Sequence, residues 1–142
     1  MATLNRGAAE AMEAVGAHAC TDITGFGLLG HLREMTAGSR VGARVRFSAV
    51  PVLPEIWDLI AQGQVPGGTQ RNHRYLNEVQ AVDWGGRGEP QQLILSDAQT
   101  SGGLLIAVAK EKSGRLLEEL QRRGTPVAAR IGEIVDDPTG RI

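Results

Sequence analysis

Much that would narrow a function is scarce in this sequence. Cys20 is its only cysteine, so an internal disulfide is excluded; a reducing compartment such as the cytoplasm fits that usage. No apolar run approaches the roughly 18 residues of a membrane span. The longest clear one is LLIAVA at residues 104–109. The opening MATLNRGAAEAM lacks the apolar core of a signal peptide. Neither sign of charge dominates, with 15 Lys and Arg against 16 Asp and Glu. A protein that binds nucleic acid by neutralising phosphates needs a concentrated basic face, and that class is set aside. A single nucleotide stays open, because backbone N–H groups or a metal can meet its phosphates. His18, His31 and His73 show no metal-ligand spacing, and Cys20 with His18 and His31 matches no zinc pattern.

Glycine, by contrast, is plentiful: 19 of 142 residues, about twice ordinary usage, gathered in turns. The length suits one globular domain over residues 1–142, able to bury roughly 68% of the surface its unfolded chain exposes. Ala9, Met12, Val15 and Gly16 share a face and predict a helix from Ala8 to about Ala19. Leu28, Leu29, Leu32 and Met35 predict a second helix, stopped at Gly38. Alternation over residues 41–47 predicts a half-buried strand with Ala43 and Val45 on one side and Arg44 and Arg46 on the other. Pro54 can open a short helix carrying Ile56, Trp57, Leu59 and Ile60. Residues 63–76 read as a long polar loop, followed by a short helical or irregular piece around Val79 and Val82. Residues 83–90 (DWGGRGEP) cannot be a core element. Residues 92–95 read as a strand, and LLIAV as a strand buried on both faces. An amphipathic helix from Lys110 to Arg123 presents Leu116, Leu117 and Leu120 and stops at Gly124. One or two edge strands close the sequence. The order predicts an α/β or α+β fold, a single domain with one mixed sheet and packed helices.

Three segments can carry chemistry. The first is CTDITGFGLLGH at residues 20–31. Gly25 and Gly27 permit backbone angles or close approach that a side chain forbids, and a helix begins at Leu28. Beside them Asp22 admits two readings. As an N-cap or Asx turn it satisfies local N–H groups. As a metal ligand it holds Mg²⁺ against phosphate, since a bare carboxylate would repel that anion. The second segment, PGGTQRN at residues 66–72, can form a concave set of N–H donors with Arg71 as a fork for phosphate, or be a solvated turn. The third, SDAQTSGG at residues 96–103, can be a ligand turn or only a tight connection. Cys20 reads as an inert thiol, His31 as a residue capping or packing along its helix, and Trp57 and Trp84 as packing anchors.

Taken in order, TLNRGAAEAM, ACTDITGFGLLGHLREM, VPGGTQRN, LSDAQTSGGLLIAV and IGEI resemble the C-terminal half of the selenophosphate synthetases, or selenide, water dikinases. These belong to a superfamily with aminoimidazole ribonucleotide synthetase and thiamine-monophosphate kinase. The likeness runs from about residue 3 to the end, and ACTDITGFGLLGHL is its most specific part. It implies a fold like the C-terminal domain of aminoimidazole ribonucleotide synthetase. It implies an activity in which ATP converts selenide to selenophosphate with release of AMP and phosphate. In that family an N-terminal domain supplies the reactive Cys or Sec, a nearby lysine and most Mg²⁺-binding aspartates, and full-length subunits pair as homodimers through it. None of those residues is in this stretch, so no catalytic residue is expected here, and Cys20 does not match the nucleophile.

The resemblance carries over Asp22 as a ligand of Mg²⁺ held against ATP phosphate. Thr21, Thr24 and Gly25 are implied to shape the nucleotide-facing loop. The partners implied are ATP, selenide and the N-terminal domain, with no nucleic acid and no membrane. One departure stands out, because Ala98 lies where the family usually has proline. A piece without the N-terminal half is expected to be inactive. Two other functions are compatible: a domain of another ATP-dependent kinase or ligase of the superfamily, and a stand-alone binding or assembly module.

Overall fold

A computed structural model describes residues 4–142; Met1 to Thr3, including the first residue of the TLNRGAAEAM segment, lie outside the described residues. Six α-helices are present among these: α1 (Arg6–Val15), α2 (Gly27–Ser39), α3 (Ile56–Ala61), α4 (Gly67–Glu78), α5 (Glu89–Leu95) and α6 (Ser113–Arg122). Four short strands accompany them: β1 (Ala19–Asp22), β2 (Gly42–Val45), β3 (Leu104–Ala107) and β4 (Gly132–Val135). The class is the mixed α/β one expected. The single mixed sheet is corrected, because the strands form two separate antiparallel ribbons, β1 with β3 and β2 with β4. Helices cover the faces of these ribbons, and the apolar side chains find partners there instead of on further strands.

Two apolar clusters make the interior, and β3 runs between them. Leu104, Ile106 and the following Val108 pack on Ala8, Ala11, Val15, Leu116 and Leu120 of α1 and α6. Leu105 points the other way, to a cluster of Leu29, Leu32, Ala43, Leu76, Ala81 and Leu95. Successive side chains of a strand face opposite sides, so one strand can seat both clusters. Each β3 residue is half-buried.

Helix α1 buries Ala8, Ala11 and Val15, and α6 buries Leu116 and Leu120, at the spacing of one helical face. Arg123 Nη1 joins the two helices through Glu10 Oε2 at 2.8 Å, and Arg123 Nε stands 3.4 Å from Glu119. Helix α1 ends earlier than the periodicity suggests, at Gly16 with φ of +79°. The freed residues form β1, which the sequence pattern does not announce. Helix α2 runs through Gly38 and closes at Arg40 in the left-handed conformation.

Two elements differ in kind from expectation. The segment read as a polar loop is α4. Only Thr69 and Leu76 of it are buried, so its apolar stripe is too thin to register as a helical period. The segment read as a strand is α5, whose first turn holds Pro90 and whose Leu93 and Leu95 are buried. The four residues QLIL are too few to separate a strand from a buried helix by pattern alone. The final three residues are stitched into the larger cluster's side. Gly140 O accepts from Thr36 Oγ1 at 2.9 Å, Arg141 O from Ala43 N–H at 2.9 Å, and Ile142 bonds through both backbone groups to Ala81 and Asp83. No helix among the described residues is long and apolar enough to cross a membrane.

Candidate functional site

The three segments singled out in the sequence, bonded to one another at separations of 24 to 80 positions, meet at one place. Its centre is the turn from Thr24 to Gly27, closed by Gly27 N–H on Thr24 O at 3.0 Å. Gln99 N–H of the third segment donates to the same carbonyl at 3.0 Å. From the second segment Asn72 Nδ2 donates to Gly25 O at 2.8 Å and to Ser96 O at 3.1 Å. A single amide thus ties all three segments together. Thr69 Oγ1 donates to Asp97 Oδ1 at 2.6 Å and accepts from Ala98 N–H at 3.2 Å. Gln99 Nε2 holds the other oxygen of Asp97 at 2.8 Å. Ile23 is bonded on both backbone groups to the glycine pair, N–H to Gly103 O at 2.9 Å and O from Gly102 N–H at 3.0 Å.

Ala98 gives its N–H to Thr69, a bond that a proline at this position could not make.

Two glycines of the turn are glycine for different reasons. Gly27 has φ of +70°, and a Cβ there would lie 2.7 Å from the backbone of Ser96 and Asp97. The fold itself requires it. Gly25 has no such demand, since a Cβ there would meet nothing within 4 Å. It leaves an open approach to the backbone beside Asp22.

Asp22 closes β1 and is exposed. The capping reading is not what the structure holds. Phe26 is the N-cap of α2, and no donor among the described residues bonds the Asp22 carboxylate. Its neighbour Thr21 turns its hydroxyl to Asp22 O at 3.3 Å. Burial first, and then the Asp22 charge, push the Cys20 thiol up from its ordinary pKa. This favours the thiol over the thiolate, in keeping with its half-buried place on β1.

Mg²⁺ takes hard oxygen ligands and commonly uses one or two carboxylates together with phosphate oxygens. An exposed, unpartnered carboxylate next to an open backbone fits one corner of such a shell. No group of three or more His, Cys, Asp and Glu side chains among the described residues could hold a metal ion. The remaining ligands would have to come from phosphates or another chain segment.

Arg71 is exposed, its guanidinium over the first turn of α4, 3.4 Å from where a Cβ on Gly67 would stand. Sequence reasoning gave no role to Asn72 or Asp97 and read Thr69 only as one of a concave set of N–H donors, although each lies inside a quoted motif; the signal was a polar side chain flanked by glycine-rich turns. His31 does not cap α2. It reaches back from the second turn to Thr24. His73 bonds Gln92 at 2.7 Å and meets Trp84 edge-on, with ring centroids 5.6 Å apart, away from the Thr24 turn. Trp57 packs edge-on to Phe47 at 6.0 Å yet remains 42% exposed, so it anchors less than expected.

The family model for the AIR synthase related protein C-terminal domain matches residues 1–142. The chain is 44% identical over 143 residues to the selenide, water dikinase of Carboxydothermus hydrogenoformans, covering all of this chain and 40% of that protein. It is 47% identical over 136 residues to that of Pseudomonas aeruginosa, covering 96% of this chain and 38% of the relative. Pelobacter propionicus has another at 43% identity over 143 residues. The chain spans about 40% of the length of these curated relatives.

Proposed function

We propose that this chain, which belongs to the AIR synthase related protein C-terminal domain family, forms the closing side of the ATP site in a selenide, water dikinase. The names of the relatives favour the selenium reaction over that of another kinase or ligase of the superfamily. The observation that carries the site is the bonding of three distant motifs around one turn, with an exposed and unbonded carboxylate beside it. Asp22 is the residue that would hold Mg²⁺. When bound, that ion neutralises charge on the transferring phosphoryl groups. Thr21, Thr24 and Gly25 shape the surface that the nucleotide phosphates approach. Thr24 is fixed on both backbone groups, and Gly25 leaves room for a ligand where the fold does not need a glycine.

In this reading residues 1–142 are one domain, and the other domain of the enzyme brings the nucleophile, the remaining metal ligands and the dimer contact. ATP and selenide are substrates of the joined protein, which works as a cytoplasmic homodimer. The isolated chain performs no dikinase chemistry.

A calorimetric titration of the isolated chain with Mg·ATP, repeated with Asp22→Ala and Gly25→Ala, tests this. Absent or weak binding, together with no AMP from ATP and selenide, is expected of a closing side. Tight binding abolished by Asp22→Ala would mean a self-sufficient site. Tight binding unchanged by both substitutions would remove Asp22 and Gly25 from the site altogether.

A further inference from the structure

His31 is the one buried imidazole in the segment that carries Asp22, and nothing in the reaction described above uses it. It is 7% exposed, five positions into α2, and its ring turns back over the helix start. Nε2 lies 3.1 Å from Thr24 N and accepts that N–H. The Thr24 hydroxyl is also 3.1 Å from Nε2. An N–H cannot point at a second N–H, so Nε2 carries no proton and the neutral ring has its hydrogen on Nδ1. Nδ1 is buried without a hydrogen-bond partner, and the exposed carboxylate of Glu34, one turn along α2, stands 3.6 Å away. Phe26 covers the ring, with centroids 5.5 Å apart. Gly30 makes that possible, since a Cβ on it would stand 2.8 Å from Phe26 Cβ.

Thr24 O is taken by Gly27 and Gln99, and Gly25 O by Asn72. The Thr24 N–H is a further handle on the turn, and His31 Nε2 is its acceptor among the described residues. We propose that His31 is a positioning residue for the Asp22 turn: as the neutral Nδ1–H tautomer, it fixes the Thr24 amide and with it the direction from which Asp22 meets a cation. Its consequence for Mg²⁺ rests on the function proposed above; its structural content does not.

The test uses ¹⁵N-labelled chain. Long-range ¹H–¹⁵N correlations in the unsubstituted chain at neutral pH are expected to show the Nδ1–H tautomer at His31. An Nε2–H tautomer or an imidazolium there would overturn the proposal. Amide exchange at Thr24 is then compared between His31→Gln, whose side-chain oxygen can stand in for Nε2, and His31→Leu, which cannot accept. Exchange is expected about tenfold faster in the leucine variant and close to the original in the glutamine variant, as befits loss and recovery of one hydrogen bond. Unchanged exchange in the leucine variant, or equal loss in both while each stays folded by circular dichroism, would overturn it. If the leucine variant does not fold, the tautomer measurement on the unsubstituted chain still decides. Failure of the Asp22 reading would appear in the Mg·ATP titration and leave the ring spectrum and the Thr24 exchange as expected, so the two failures are separable.

Discussion

The lobe of α1 and α6 and the cluster around Thr24 are held by different forces. The lobe is an apolar seam: Ala8, Ala11 and Val15 against Leu116 and Leu120, with the Glu10–Arg123 pair at its rim. Around Thr24 the apolar contribution is thin, and side-chain amides, hydroxyls and backbone groups bond one another across three segments. Apolar contact is non-directional and tolerates small shifts. Hydrogen bonds fix distances to a few tenths of an ångström and leave a costly orphan when one partner goes. A carboxylate that must meet a cation at a set distance is better carried by the second kind of structure.

The comparison can be broken most directly at Gly27. Gly27→Ala combines a left-handed backbone with a Cβ 2.7 Å from the Ser96–Asp97 backbone. It is expected to cost about 3–4 kcal/mol, from strain plus overpacking, and to lower the melting temperature by roughly 10 °C. Leu120→Ala in the seam comes next, at about 2–3 kcal/mol, because a nearly buried leucine leaves a cavity between helices. Denaturant unfolding measures both. Hydrogen exchange should separate them, with early opening confined to the α1–α6 amides in Leu120→Ala and spread over residues 22–27 and 96–103 in Gly27→Ala. Opening of both regions together in either variant would mean that they are one cooperative unit.

Asn72→Ala removes the donor to two carbonyls and is expected to cost about 1–2 kcal/mol, with the Gly25 region losing exchange protection first. The smallest effect belongs to the β4 end. The Thr139 hydroxyl and then its N–H hold the Asp137 carboxyl below its ordinary pKa. The folded state therefore binds its proton less readily than the unfolded state. The stabilisation is present above the ordinary carboxylate range and is lost as pH falls through the depressed value. Thr139→Ala should remove that small gain at neutral pH and so flatten the acid limb of a stability–pH curve, leaving stability below the depressed value nearly unchanged.

How far each region could be read from residues follows from the same contrast. The seam was legible because apolar residues three and four apart announce a helical face, as in α1, α2 and α6. Helix α4 was not, because its place is set by Thr69, Asn72 and Leu76 bonding and packing to segments far along the chain. Pattern reading sees neighbours in sequence, and these partners are not neighbours. Helix α5 was lost to shortness, and β1 because four residues with one partner strand carry no alternation of their own. The motifs themselves were visible as glycine-rich clusters. That they touch, and that Asn72 is the tie, depends on a fold whose relevant elements were partly misread.

The stitching of residues 140–142 bears on the order in which its parts can close as the chain leaves the ribosome. The α1–α6 seam can close once residue 123 has emerged. The side built on α2 has to wait longer, because the bonds on Thr36, Ala43, Ala81 and Asp83 are supplied by residues 140–142. Loops that long are slow to close. During that delay the backbone of β2 and the 81–83 segment stands open to solvent and to chaperones. The side of the molecule built on α2 and β2 thus closes after the α1–α6 seam.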